Sequence, residues 1–425
     1  MLMKHFILIL TAAMSSLITA HAERITLHCE TAGSLQDTLE LKGLTDLKEI
    51  HSLKISGHLH AGDFRLFKQM ALDSLDLSTV EIDAFYGIGT YAPGMFGYNN
   101  QRQYNEAEIP INAFSFRSNY NNSLSGMESL VYIQLPTTLK SIGNEAFAMT
   151  PLSAIELPQG LETIETDAFL GCPQLEEIEI PASVSRIGET RNDVTYGVFA
   201  CCESLRNIHV AEGNEYYTSI GGVLFNKNQT KLLQYPAGKE EAEYQIPDGI
   251  GKITHRAFEY SQSLRKVTIP ASVDTIERAF WDCNKLEEVV CKRETPAKWR
   301  ALGATQWVEP FDYRLLTEGV LTVPAECKDR YANNWDWGQF RHIQEEQSAT
   351  SFNPIETAKI HIHTNGQQIY IRQTGNDILD IKLYDMTGKL IHNHRGIATE
   401  RQFQVDGKGL YIININETTY KCICK

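Results

Sequence analysis

The sequence lacks the marks of most enzyme chemistries. It holds no G-x-S-x-G elbow, no H-E-x-x-H pair, no phosphate-binding loop and no dinucleotide fingerprint. It has no C-x-x-C pair, so a finger- or ribbon-type zinc site has no ligands at the required spacing. Basic residues are in deficit. Lys and Arg number 39 against 53 Asp and Glu, a formal charge of −14. That balance argues against nucleic acid, whose binding rests on cations that neutralise phosphates. Beyond the first 22 residues no stretch is apolar enough to span a membrane as a helix. The cysteine total of nine is odd, so at least one thiol has no partner within the monomer.

What the chain does have is a repeat. Ile133 to Phe169 states the same pattern twice, 22 residues apart. Pro136 maps to Pro158, Leu139 to Leu161, Ile142 to Ile164 and Phe147 to Phe169. Further copies follow at Ile178–Leu205, Ile246–Leu264 and Val267–Val289, and an earlier one at Ile109–Leu130. One such unit has too few apolar residues to bury a core, whereas stacked units share one continuous core. Period-two alternation at Tyr132-Ile133-Gln134-Leu135 marks a strand that sends Ile133 and Leu135 inward. Pro136 ends that strand, because proline lacks the N–H a ladder needs. The phenylalanine of each Ala-Phe pair recurs once per coil, so stacked rings should run along the array. Cys172, Cys202 and Cys283 fall three residues after that phenylalanine, where Thr150 and Ser261 stand in other copies. The slot suits a small buried side chain, so these cysteines read as structural thiols.

The unit Ile-x-Ile-Pro…Ile-x-x-x-Ala-Phe-x-x-Cys-x-x-Leu resembles the leucine-rich repeat of the Bacteroides surface protein A type. So does the block Gly222-Val-Leu-Phe through Tyr235-Pro-Ala-Gly238. The resemblance takes in most of the chain. It implies a β-rich leucine-rich-repeat solenoid, a right-handed superhelix of short parallel strands with few short helices. It also implies a secreted or surface-exposed protein used for recognition or adhesion, and it names no ligand.

The chain then divides as follows. Residues 1–22 read as a signal peptide, with Lys4, an apolar run from Phe6 and the small-residue signal Ala20-His21-Ala22. Residues 23–85 form an N-terminal cap with Ser34 as a helix N-cap, a strand and turn at Leu53–Gly57, a helix at Ala61–Met70 and a first repeat strand at Leu75–Ile82. Residues 86–295 hold the repeats and their insertions; 86–108 and 115–126, rich in Tyr, Asn and Gly, read as long loops. Residues 296–346 read as a C-terminal cap in which Tyr331, Trp335, Trp337, Phe340 and Ile343 cover the last coil. A polar linker, 347–358, leads to a small antiparallel β-sandwich at 359–425, with turns at Asn365-Gly366, Thr387-Gly388 and Asp406-Gly407. Leu383-Tyr-Asp-Met-Thr-Gly388 and Gly409-Leu-Tyr-Ile412 in that tail are similar to the C-terminal sorting domain of the type IX secretion system. That likeness implies export and a tail recognised by secretion machinery. Cys422-Ile-Cys424 departs from the pattern.

The candidate binding residues are the outward positions of the stacked strands: Tyr132 and Gln134, Glu156, Glu177 and Glu179, then Asn207 and His209. Successive coils bring them about 4.8 Å apart, giving a long shallow strip with an acidic middle. Such a surface suits an extracellular protein, peptide or glycan better than a buried small molecule. The H-x-H pairs His58/His60, His361/His363 and His392/His394 read as polar residues at strand edges, because no third ligand has a specified place. No metal or other cofactor and no catalytic residue is expected. The resulting expectation is non-enzymatic recognition or adhesion. The alternatives are a secreted glycan-active enzyme built on the glutamates and an architectural part of a surface layer.

Overall fold

The computed structural model describes residues 24–90, 101–118, 123–191, 194–299, 309–346, 360–365, 367–373, 379–396, 400–407, 409–416 and 418–424. The expected signal peptide and linker lie outside these residues. The chain forms two compact units, Met1–Glu345 and Glu346–Lys425.

The first unit is a coil with three runs per turn. Its first run is a parallel ladder. Ile25–Cys29, Ser52–His60, Ser74–Asp83 and Tyr132–Gln134 make one sheet, and Glu177–Ile180 pairs with Asn207–Val210. Glu243–Gln245, Lys266–Ile269, Glu288–Cys291, Val320–Val323 and His342–Glu345 make another. The second run is a ladder of two-residue strands. Glu108–Ile109, Ser141–Ile142, Thr163–Ile164 and Arg186–Ile187 stack in register, so their isoleucines form one column against the core.

The third run carries the phenylalanines. Rings stack from Phe114 to Phe147 (5.1 Å), Phe169 (5.3 Å) and Phe199 (5.5 Å). A second stack runs from Tyr235 through Phe258, Phe280 and Phe311 at 4.6 to 5.1 Å. Tyr235 and Phe311 also take ring positions, one as a tyrosine after Gln234 and the other after Pro310. The residues two before and two after the phenylalanine take left-handed backbone: Glu145 and Met149, Asp167 and Gly171, Arg256 and Tyr260. For a non-glycine residue this costs roughly 1–2 kcal/mol. It turns alternate N–H groups along the array. Glu145, Phe147 and Met149 donate to Thr166, Ala168 and Leu170 of the next coil, and Arg256, Phe258 and Tyr260 donate to Arg278, Ala279 and Trp281. The third run is thus hydrogen-bonded without being a strand.

The cysteine slot has a specific task. Cys172, Cys202 and Cys283 place Sγ 3.0 to 3.2 Å from the carbonyl of the preceding coil's phenylalanine: Phe147, Phe169 and Phe258. Thr150 and Ser261 donate at 2.7 Å to Phe147 and Phe258 of their own coil. Cys172 and Cys202 are separate thiols. Replacing Cys283 by serine should therefore leave stability within about 1 kcal/mol, while Cys283→Ala, which removes the donor, should cost about 1 kcal/mol more than serine. Urea denaturation of the two variants checks this.

Several sequence expectations for the caps are corrected. The ladder starts at Ile25–Cys29, so Ser74–Asp83 is its third strand and not its first. No turn follows Leu53; the strand runs on to His60 through Gly57 (φ +84°) with a register shift. A Cβ on Gly57 would lie 2.1 Å from the Cys29 carbonyl oxygen, which requires glycine there. The helix at Ala61–Met70 is confined to Phe64–Phe67. Ser34 precedes the helix Leu35–Leu41 but does not cap it, since its hydroxyl donates to Thr31 O. Buried Asp63 takes that role, accepting from the N–H groups of Gly33, Leu35 and His60. The expected loops contain hairpins, Phe85–Ile88 with Gln101–Tyr104 and Ser115–Arg117 with Leu124–Gly126. In the C-terminal cap Tyr331, Trp337 and Phe340 are buried as expected. Trp335 is 84% exposed. Asn334 folds a turn that accepts from Asp336 and Trp337, and Trp337 takes the inward slot with Nε1 on Ala297 O.

The insertion at 211–245 is more than a hairpin. Tyr217–Ile220, Val223–Asn226 and Lys231–Gln234 form a meander whose last strand joins the second-run ladder, in parallel with Lys252–Ile253. Residues on both sides of its second and third strands are buried or half-buried. Val223, Phe225 and Leu232 pack into the C-terminal apolar core, whereas Leu224 and Leu233 pack against the N-terminal one. The meander is therefore a partition between two cores.

The second unit holds two antiparallel sheets around one apolar core. Ile360–Asn365, Gln368–Gln373 and Glu400–Gln404 form one sheet. Leu390–Gly396, Leu379–Tyr384, Gly409–Ile415 and Thr418–Cys424 form the other. Ile369, Ile381, Ile413 and Cys422 are among the core residues. Cys422-Ile-Cys424 thus belongs to a closing strand, which its polar neighbours Thr418 and Thr419 concealed.

Candidate recognition surface

The outward side chains of the first run form three segments. In the first, Asp76 is buried at the centre of a polar cluster. Arg24 pairs with it, Lys54 Nζ lies 3.1 Å from it, and Ser78 donates to it twice. With its amide nitrogen facing Asp76 at 3.1 Å, Gln134 accepts from the Tyr132 hydroxyl at 3.1 Å. Burial, then Asp76 and more weakly Glu156, raise the Tyr132 phenol above its ordinary value, against Arg24. Tyr132 and Gln134 are thus held in the array's own network. The sequence did not single out Asp76, Lys54 and Arg24, because Arg24 and Lys54 lie in the cap.

Burial works to raise the Asp76 carboxyl, but the bonds from Ser78 and the pair with Lys54 outweigh it and hold it below the usual range. A carboxyl depressed by folding stabilises the native state above its unfolded pKa of about 3.9, and that stabilisation goes as pH falls through the lower folded value. Stability of the wild type should therefore drop more steeply below about pH 4 than that of Asp76→Asn. Denaturant titrations between neutral and strongly acidic pH test this.

The middle segment differs. Glu177 and Glu179 are exposed on the strand Glu177–Ile180, opposite Asn207 and His209. His209 Nε2 lies 3.6 Å from Glu177. Asn207 is half-buried beside Gly222 of the partition, where a Cβ would meet its Oδ1 at 2.5 Å. Glu156 is exposed but lies in no strand; Ile155 and Leu157 keep the inward alternation without ladder pairing. Among the described residues Glu156 and Glu179 have no ion-pair partner.

The third segment is paired at its centre. Lys266 Nζ lies 2.9 Å from Glu288, Thr322 donates to Glu288 at 2.8 Å, and Gln344 donates to Thr322 at 3.1 Å. Val290, which alternates with the inward Val289, is buried as well. Second-run carboxylates are matched too, Glu162 by Lys140, Glu165 by Arg186 and Glu277 by Lys252. Opposite charges on facing positions stabilise a ladder and like charges oppose it. The array obeys that rule at both ends of the strip, whereas in the middle no lysine or arginine is paired with Glu156, Glu177 or Glu179 among the described residues, and Glu177 has only His209 beside it.

The histidine pairs are engaged elsewhere. His58 and His60 each lie 3.2 Å from a carboxylate, Asp83 and Asp63. His392 bonds the Gln404 carbonyl and His394 accepts from Arg401. The side chains of His361 and His363 lie outside the described set. Among the described residues no group of three or more His, Cys, Asp or Glu is placed to hold a metal, and no helix is long and apolar enough to cross a membrane.

Parallel ladders on two runs, a stacked aromatic column and an open strip define a repeat solenoid. Residues 117–245 and 240–297 match the family described as the BspA type leucine rich repeat region, in six copies. The chain is also similar to solved structures. One is a leucine rich cell surface protein of Faecalibacterium prausnitzii A2-165, 19% identical over 72% of this chain and 75% of that one, with a TM-score of 0.43. Others are the pneumococcal vaccine antigen PcpA (18%, 65% and 80%, TM-score 0.34) and a leucine-rich repeat protein of Bacteroides ovatus ATCC 8483 (18%, 60% and 62%, TM-score 0.31). A search of the curated proteins returned no match.

Proposed function

We propose that this protein is a non-enzymatic, exported recognition or adhesion protein whose binding site is the acidic middle of the strip. The observation that carries the reading is the acidic set Glu156, Glu177 and Glu179, in which Glu177 has only His209 at 3.6 Å beside it, set between segments in which carboxylates are matched by lysine. Three carboxylates on an open, ladder-built surface attract a partner that presents lysines or arginines, so an extracellular protein or peptide is favoured over a neutral glycan. Tyr132 at one end and Asn207 and His209 at the other supply rim contacts. The glycan-active alternative needs a cleft that places two carboxylates in different environments. The cavity among Ile187, Val198, Phe199, Leu224 and Gln234 includes none of these glutamates.

The reading extends to the termini. Residues 1–22 direct export, and 359–425 act as a type IX sorting tail whose edges meet the secretion machinery. Deleting 359–425 should leave the protein inside the cell envelope, and fractionation with immunoblotting tests this; unchanged delivery outside the cell would remove the sorting role. For the strip, binding to a lysine-rich partner should weaken as salt rises and fall at least tenfold in the triple variant Glu156→Ala, Glu177→Ala, Glu179→Ala.

A further inference from the structure

The repeats look continuous in sequence, but both ladders stop at one place. The first run ends a sheet at Asn207–Val210 and begins another at Glu243–Gln245. The second run ends at Arg186–Ile187 and resumes at Lys231–Gln234. The ring column halts at Phe199 and restarts at Tyr235. Between them stand the partition strands, with Val223, Phe225 and Leu232 in one core and Leu224 and Leu233 against the other. Packing there is imperfect. A cavity is lined by Ile187, Val198 and Phe199 from one side and by Leu224, Leu233 and Gln234 from the other. Gln234 occupies an alanine slot, is 1% exposed, and its Oε1 has no hydrogen-bond partner.

Polar links cross this seam at the meander, where the Tyr217 hydroxyl accepts from Ile187 N–H at 2.8 Å and Ser219 donates to Ile208 O at 2.5 Å. Ile208 N–H donates to Gly222 O at 2.9 Å, Gly238 N–H donates to Leu205 O at 2.8 Å, and Arg206 meets Glu240 at 3.0 Å on the exposed surface. An ion pair also crosses it largely out of water, Asp167 with Arg256, at 3.0 Å across 89 residues of sequence. Arg256 also lies 3.1 Å from Glu259, so one guanidinium serves two largely buried carboxylates. Burial pushes both carboxyls up against the pull of that guanidinium.

We propose that the seam is a hinge between two rigid half-arrays, and that Asp167–Arg256 is the clasp that holds it closed. A nearest-neighbour array opens first at its weakest interface. Opening separates the acidic strip segment, on the N-terminal half, from the paired Lys266–Glu288 segment on the other. A partner that touches both would be held only by the closed form.

Hydrogen exchange on the full chain tests this. Ile208 and Gly238 report the seam; Phe147, Ile246 and Phe258 report bonds inside a half. In the wild type the seam amides should exchange about tenfold faster than the interior ones. Arg256→Met leaves two carboxylates without their shared cation and should speed the seam amides by a further tenfold or so, leaving Phe147 unchanged. Asp167→Asn removes the charge of the pair but keeps the volume and one acceptor oxygen, and should act in the same place by a smaller factor. Seam amides as slow as the interior ones would overturn the hinge. Acceleration spread evenly over all five amides would overturn the clasp. Should Arg256→Met fail to fold, the wild-type comparison and Asp167→Asn decide both points.

Discussion

Phe169→Ala should lower the unfolding free energy by about 3–5 kcal/mol, the cost of removing a fully buried aromatic side chain. Phe169 has no exposed surface and stacks on Phe147 at 5.3 Å and Phe199 at 5.5 Å. The loss is therefore felt in two coils besides its own, and Phe147 cannot collapse into the gap while its own N–H is fixed to Ala168 O of the next coil. Urea denaturation followed by circular dichroism measures it. Tyr86→Ala, at a largely exposed ring, is the control and should change stability by less than about 0.5 kcal/mol. A Phe169→Ala loss as small as the control would mean that the ring column is not a core.

Asp63→Ala should cost roughly 3 kcal/mol, since it leaves three backbone donors without their acceptor. Gly33, Leu35 and His60 all donate to this carboxylate, at 2.8, 3.4 and 2.8 Å. The group ties the loop before the first helix to the end of the strand Ser52–His60, so it sets the N-terminal cap on the open end of the ladder. Asp63→Asn keeps one acceptor oxygen and should recover about half of the loss. Thermal unfolding of the pair checks the order. Equal loss in both variants would point to charge, and no loss in either would mean that water replaces the carboxylate.

Much of the repeat region was legible, because stacking imposes one pattern on every coil. Ile142 and Ile164, Phe147 and Phe169, and the cysteine slot all occupy the positions their spacing indicated. The caps were less legible, because each is built once. Ile25–Cys29 carries only two buried side chains, and Asp63 acts on residues 28 to 30 positions earlier in sequence. The strip was half legible. Alternation placed Gln134, Glu177 and Glu179 outward, but it could not show that Asp76 engages Gln134 or that Glu156 sits outside a strand. Tyr235 was hidden for a related reason. The inserted meander supplies the ring from a strand of its own, with Gln234 where other coils have alanine.

The measurement that bears most directly on the proposed function is binding of the full chain to a panel of extracellular-matrix proteins, lysine-rich peptides, mucin glycans and polysaccharides. The Glu156→Ala, Glu177→Ala, Glu179→Ala variant runs beside the wild type, at low and high salt. The account expects at least one cationic protein or peptide to bind the wild type, to weaken with salt, and to bind the variant at least tenfold less. Binding that survives the triple substitution would contradict the acidic strip as the site. Silence across the panel from a folded protein would contradict recognition itself and favour an architectural role.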